Sequence, residues 1–324
     1  MHSMRGLSLV EVMVTLAIGM IVTLGIVGIM GTNRQNLRIT ESLSESQENA
    51  RLAFELIARD VRQARDTSCG PLQSVSNLPV VSVDPDNPAD PDWWGVWWPI
   101  RGFAGDSDTA AISIGSNSED RVAGTQALQL LGSGEVRIIS TITPDGTTIN
   151  LQTAAGSLNS GPIIVCDLLN ASLHTAGAAG ANAITTSPAV AVSDPANPQF
   201  QVARLTAVTW YIGNNGRANE GGRSLYRVRL QPDGFTVIEE ILPGVVDMQV
   251  TYHLKNNVGF VASDDALLAT QANWNDVNAI QLTLVTESTQ RNVTSDAAAG
   301  SALVGSDGRI RRQITHVISL RNTI

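Results

Sequence analysis

The chain is poor in the residue patterns that build enzymes and metal centres. It has 324 residues, of which two are cysteine and four are histidine. His2 stands at the extreme N-terminus, and His174, His253 and His316 are widely separated. No HExxH-like spacing places two imidazoles on one helix face, as a zinc centre of that type requires. His253 and His316 fall in strand-like patterns, where a hydrogen-bonded structural histidine is the simpler reading. No GxSxG elbow presents a serine nucleophile, and no P-loop cradles a phosphate. Gly305-Ser306-Asp307-Gly308 reads as a turn. These absences leave no catalytic constellation, metal set or cofactor motif. Charge is scarce as well: charged residues are 16% of the chain and the formal net charge is −9. That balance argues against a general nucleic-acid-binding surface.

What remains is apolar and small. Hydrophobic residues make up 43% of the chain, glycine occurs 28 times, and Ser, Thr and Asn fill much of the rest. This is the texture of an exported, loop-rich β protein, with enough apolar residues for one sizeable domain. One stretch stands apart. From Val12 to Gly31 there is no charged residue. As a helix, Leu7 to Met30 would be roughly 36 Å long, enough for a bilayer core of about 30 Å. Just before it lies Met4-Arg5-Gly6-Leu7, and inside it lies one acid, Glu11. A carboxylate in a spanning segment costs about 2.5–3.5 kcal/mol on insertion scales and so needs a function. An ordinary secretory signal carries its small residue after the apolar core. Here the small residue, Gly6, comes before it, so a cut after Gly6 leaves the apolar segment on the mature chain.

This arrangement resembles the type IV prepilin leader: a short basic leader, a glycine, a hydrophobic residue, and a glutamate at the fifth mature position. The resemblance implies cleavage between Gly6 and Leu7 by a prepilin peptidase, and N-methylation of Leu7. It also gives Glu11 a role, that of meeting the N-terminal amine of a neighbouring subunit in a filament. A plain membrane anchor with a chance acidic residue is the alternative.

The helix is expected to run past the membrane. From Thr32 to Arg65 there is neither proline nor glycine, and Ile39, Leu43, Gln47, Ala50, Phe54, Ile57, Val61 and Ala64 recur at helical steps. Cys69-Gly70-Pro71 should end it. Asp84 to Asp92 alternates acids with prolines; calcium ligation and a solvated turn are both open, although EF-hand spacing fails. Trp93-Trp94-Gly95-Val96-Trp97-Trp98 is either an exposed interface hot spot or a small aromatic core. Beyond it the period becomes two. Strands are expected at Ala127–Leu131, Val136–Ile142, Ile163–Cys166, Leu205–Ile212, Leu225–Leu230, Thr236–Ile241 and Val246–Leu254, around Ile280–Leu284, and at Ile310–Leu320. Ala176 to Pro198 reads as a low-complexity loop. Polar–apolar alternation means one buried face, hence antiparallel pairing. The fold class is therefore α+β, a long N-terminal helix packed on an antiparallel sheet domain. Arg309, Arg311, Arg312 and Arg321 form a basic cluster, read either as a solvated strand or as a contact for an acidic partner or DNA. Cys69 and Cys166 would pair in an oxidising compartment; two free buried thiols are the alternative.

The blocks Ile163-Ile164-Val165-Cys166-Asp167, Ser224-Leu225-Tyr226-Arg227, Pro243 to Tyr252, Gly308 to Arg312 and Leu320-Arg321-Asn322 are, in that order, similar to the PilW family of type IV pilus minor pilins. The resemblance implies a leader at 1–6, a transmembrane helix at 7–30, its periplasmic continuation at 31–66 and a periplasmic β-rich domain at 67–324. It implies a role in pilus assembly, at the initiating or tip complex. The implied partners are other minor pilins, the major pilin, the prepilin peptidase, the inner membrane and its assembly platform, in a Gram-negative envelope. Two other readings stay open: a minor pseudopilin of type II secretion, and an anchored periplasmic binding protein or enzyme with a pilin-like leader.

Overall fold

The computed structural model describes residues 9–65, 74–75, 93–109, 111–166, 170–191, 200–291, 293, 304–305 and 307–320. A single helix, α1 (Leu9–Gln63), opens the chain. Its 55 residues correspond to roughly 83 Å. The glycines of its first half do not break it. It stops at Gln63, short of the Cys69-Gly70-Pro71 signal. There Ala64 bridges to Gly132 and Arg65 turns to a positive φ of 67°. The Arg65 N–H donates to the Leu131 carbonyl, and its Nη2 donates to the Trp274 carbonyl at 2.7 Å. Tertiary hydrogen bonds end the helix before a glycine or proline is reached.

Thirteen described strands follow. They are β1 (Ser74–Val75), β2 (Ile100–Phe103), β3 (Ala127–Ile142), β4 (Thr148–Leu151), β5 (Gly161–Cys166), β6 (Asn170–Gly180), β7 (Ala183–Ser187), β8 (Gln201–Asn214), β9 (Arg223–Leu230), β10 (Thr236–Pro243), β11 (Val245–Leu254), β12 (Val277–Glu287) and β13 (Arg311–Ser319). A short helix, α2 (Gln271–Asn275), precedes β12. Apart from the parallel β1–β6 pair, every pairing between strands is antiparallel. The structure is thus the α+β arrangement that alternation implied.

The strands form a ten-stranded sheet and a three-stranded sheet ordered β11-β12-β13. In the large sheet, β3 and β8 pair along most of their length. The first part of β8 also pairs with β5, and its later part with β9. The path β8–β5–β6–β7–β4–β3 returns to β8, so six strands close a ring. Ile139, Ile149, Leu158, Ile163, Val165, Ile184 and Val202 belong to the apolar cluster that fills it. Where β3 and β8 leave the ring they are flanked by β2, β9 and β10. One face there, with Leu128, Leu130, Trp210 and Ile212, packs on α1 and the three-stranded sheet. The other, with Leu131, Leu205, Tyr211 and Tyr226, packs on the tryptophan segment.

Two expectations are settled differently from their first form. The segment expected as a loop from Ala176 is instead a hairpin: β6 pairs with β7 from Thr175↔Ser187 to Gly180↔Ala183. Its Ala, Gly and Thr side chains give no alternation to read, yet small residues accept backbone pairing on a ring wall; residues 192–198 lie outside the described residues. Trp93, Trp94 and Trp97 are buried in the second face's core, so the tryptophan run is an aromatic core and not an exposed hot spot. Trp98 is half-buried, with the Arg101 guanidinium 3.6 Å from its ring centroid.

Candidate assembly site

The half of α1 from Leu9 to Arg38 touches nothing else in the described chain; all of its residues are exposed. Leu9 is 77% exposed, and Met20, Ile21 and Leu24 are close to that. A water-soluble body does not leave so long an apolar surface bare without a use. The helix is long and apolar enough to cross a membrane, with none of its apolar window buried.

Its polar groups explain how. Between Leu9 and Gly31 the polar side chains are Glu11, Thr15 and Thr23. The Thr15 hydroxyl donates to the Glu11 carbonyl at 2.9 Å, and the Thr23 hydroxyl donates to the Gly19 carbonyl at 2.7 Å. Such back-bonding satisfies a hydroxyl inside the helix, which hydrocarbon demands. The Glu11 carboxylate alone has no partner among the described residues. It lies two residues beyond Leu9, where the described part of α1 begins. Gly19, Gly25, Gly28 and Gly31 have nothing within 4 Å of where a Cβ would stand. The fold of one chain gives no reason for them; close approach of a second helix would. Gly6 and Leu7 lie outside the described residues.

The other half of α1 is held in the body. Ser42, Ser46, Ala50, Ala53, Phe54, Ile57 and Val61 are buried. The contact stripe is one residue out of phase with expectation at Gln47, which is exposed, while Ser46 takes the buried place. The Ser46 and Thr286 hydroxyls lie 2.5 Å apart, and the Thr289 hydroxyl donates to Glu45 at 3.1 Å. Asp60 accepts the Trp210 indole N–H at 3.0 Å. Burial raises the Asp60 carboxyl above its ordinary range, against the pull of Arg227 and the Trp210 N–H. These pins were invisible in the sequence, since each joins residues far apart along the chain.

The remaining candidates divide. Cys166 ends β5 and is disulfide-bonded; Cys69 lies outside the described residues. The Asp84–Asp92 segment also lies outside them, as does Arg321. Arg309 corrects the reading of a solvated or partner-facing basic cluster. It is fully buried, and its guanidinium donates to the Ser288 carbonyl at 2.7 Å, to Asp307 at 2.7 Å, to the Asn219 carbonyl at 2.5 Å and to the Thr289 carbonyl. It ties the β8–β9 connection to the segments around β12 and β13. Arg311 pairs with Glu287 at 3.3 Å, and Arg312 is exposed. His174 is buried, its Nδ1–H donating to the Pro188 carbonyl and its Nε2 facing the Ser172 hydroxyl, each at 2.7 Å. His253 bonds Asn278, and the His316 ring meets Phe54 edge-on. All three histidines have structural contacts.

Two family comparisons match the chain. Residues 209–322 match the family described as type IV pilus-assembly protein W. Residues 1–27 match the prokaryotic N-terminal methylation motif. The first match covers the end of β8 through β13, the part of the body that clasps α1; the second covers the exposed half-helix and its leader. No curated protein matches. Among solved structures, an endosialidase of phage phi92 shows 9% identity, 69% coverage of this chain, 58% coverage of its own length and a TM-score of 0.17, a likeness too slight to carry any argument. The two family matches agree with an exposed apolar half-helix joined to an antiparallel sheet body: the C-terminal third of the chain is similar to type IV pilus-assembly protein W, its N-terminus carries the methylation motif of a type IV pilus-related pilin, and α1 is long and apolar enough to serve as a membrane anchor.

Proposed function

We propose that this pilin serves as a minor subunit in the initiating or tip complex of the type IV pilus. The observation that carries the proposal is Glu11, without a partner among the described residues, on a half-helix whose threonines satisfy their own hydroxyls. Cleavage after Gly6 would free the Leu7 amine, later N-methylated, four residues from Glu11. The carboxylate of one subunit then neutralises the amine of the next, and assembly recovers part of the cost of holding a charge in hydrocarbon. In this reading the domain beyond α1 is periplasmic, the subunit waits in the inner membrane, and the docking partners are the major pilin and other minor pilins. A Cys69–Cys166 disulfide would fasten the chain just past α1 to the ring wall. β1 supports this: Val75 pairs with Ala171, which pairs with Cys166.

N-terminal mass analysis of the mature protein, with non-reducing peptide mapping, tests the processing and the disulfide. A methylated Leu7 terminus and a Cys69–Cys166 peptide are expected; an intact Met1 or free thiols would overturn them. Deleting the gene and scoring twitching against type II secretion tests the assignment. Loss of twitching with secretion intact is expected. Loss of secretion alone would make the protein a pseudopilin.

A further inference from the structure

We propose that Arg34 and Arg38 of α1 form a clamp for the phosphate of an anionic phospholipid, in the membrane leaflet nearer the sheet body. The proposal rests on the reading of α1 as a membrane anchor and is independent of Glu11. The charge-free run ends at Gly31, and Arg34 and Arg38 are the first charged residues beyond it. Four residues apart, they lie on one face of the helix. Both are exposed, and neither has an ion pair among the described residues. The polar side chains beside them are otherwise engaged: the Thr32 hydroxyl donates to the Gly28 carbonyl at 3.2 Å, and the Thr40 hydroxyl donates to the Asn36 carbonyl at 2.9 Å.

Their depth fits a lipid headgroup. Arg34 and Arg38 stand roughly 5 and 11 Å past Gly31 along the helix axis. The headgroup layer on each side of a bilayer is about 5–8 Å thick. Helical side chains tilt toward the N-terminus, so both guanidinium groups reach back toward the apolar span. Long basic side chains settle at that boundary, with the stem in apolar surroundings and the charge in the headgroups.

Charge selects the partner. Arg5 and Glu11, the only charged residues before Thr32, cancel, so residues 32–324 carry the whole formal net charge of −9. Such a body is repelled by an anionic membrane surface. Yet the stretch of α1 that meets the headgroups holds two cations and no acid. A guanidinium takes phosphate oxygens in a bidentate fork. In a zwitterionic lipid the headgroup's own cation competes for that phosphate; in an anionic lipid such as phosphatidylglycerol it does not. Acidic side chains of a second subunit are the other chemistry that two arginines fit. In a copy anchored at the same depth, however, the first acid past the span is Glu41, roughly 15 Å beyond Gly31 and outside the headgroup layer.

The test uses the full-length protein. Flotation with phosphatidylcholine vesicles checks the anchor. Native mass spectrometry, from neutral detergent micelles holding equal amounts of phosphatidylglycerol and phosphatidylcholine, then reads which lipid stays bound. An arginine beside an anionic surface contributes about fivefold in affinity, so wild type should retain phosphatidylglycerol about 25-fold in preference, each of Arg34→Gln and Arg38→Gln about fivefold, and the double variant not at all. Arg51→Gln, at an exposed arginine paired with Glu55, should leave the preference intact. Glycerol 3-phosphate at matched ionic strength should not displace the lipid. Equal retention of both lipids by wild type, an unchanged preference in the double variant, or displacement by glycerol 3-phosphate would overturn the proposal while the anchor stands. Failure to float would remove the anchor reading and this proposal with it. Self-association of wild type in phosphatidylcholine alone, lost in the double variant, would assign the pair to acids of a second subunit and overturn the lipid assignment.

Discussion

The two halves of α1 are one secondary-structure element in two environments. From Leu9 to Met30 the helix is mostly large apolar residues and wholly exposed; from Ser42 to Val61 it buries serines and alanines beside Phe54, Ile57 and Val61. Hydropathy applied as it is to soluble proteins would assign the burial the wrong way round. The first half has the length and apolar surface to cross a membrane. The second is built for close approach to a sheet, where small side chains let the backbone sit near β12 and hydroxyls such as Ser46 meet Thr286. The helix is continuous because nothing in its sequence stops it, and its two solvents are set by what surrounds it.

The largest expected stability effect lies in the body. Arg309→Met leaves three carbonyls and Asp307 short of a donor, and should cost about 3–5 kcal/mol in chemical denaturation. A loss below about 1 kcal/mol would show that the buried guanidinium is not a structural tie.

The halves of α1 can be compared directly by truncating one isoleucine in each. Ile57→Ala should destabilise by about 2–5 kcal/mol, since Ile57 is fully buried in the core shared with the three-stranded sheet. Ile18→Ala should stay within about 0.5 kcal/mol in detergent. Similar losses at both sites would mean that the exposed half also supports the fold of the single chain.

A smaller effect is expected from pH. Burial lowers the His174 imidazole below its usual value, only partly offset by the Pro188 carbonyl. The unfolded chain then binds the proton more readily than the folded one. Stability should be complete above pH of about 6.5 and fall as pH drops below it, by at most about 1.4 kcal/mol per unit. Comparison of wild type with His174→Asn, by denaturation at pH 7.5 and 5.5, isolates this slope. An equal slope in both proteins would remove His174 as its source.

Much of this was legible in the chain. The span, its lone acid and the strands from Leu205 onward follow from runs and alternation; β11 and β12 in particular bury one face and leave the other partly open, whereas β8 is buried on both. The hairpin of β6 and β7 was not, because Ala, Gly and Thr do not alternate in a way that marks a face. Arg309 read as a surface charge because its partners, Ser288, Thr289 and Asn219, offer backbone carbonyls, which carry no sequence signature. For the assembly site, the identity of Glu11 was readable. Its lack of a partner among the described residues became visible only in the structure, where Thr15 and Thr23 bond back to the helix.

The proposed docking role of Glu11 is tested most directly by measuring how much Glu11→Ala protein enters purified pili, in a strain deleted for the native gene. Membrane insertion and cleavage after Gly6 need no carboxylate and should be unchanged, since removing the charge lowers the insertion cost by about 2.5–3.5 kcal/mol. Incorporation and pilus number should fall sharply, with Glu11→Asp intermediate because the charge is kept and the reach is shorter. Wild-type incorporation and piliation by the alanine variant would contradict the account, leaving the helix surface and the sheet body to bring this subunit into the pilus.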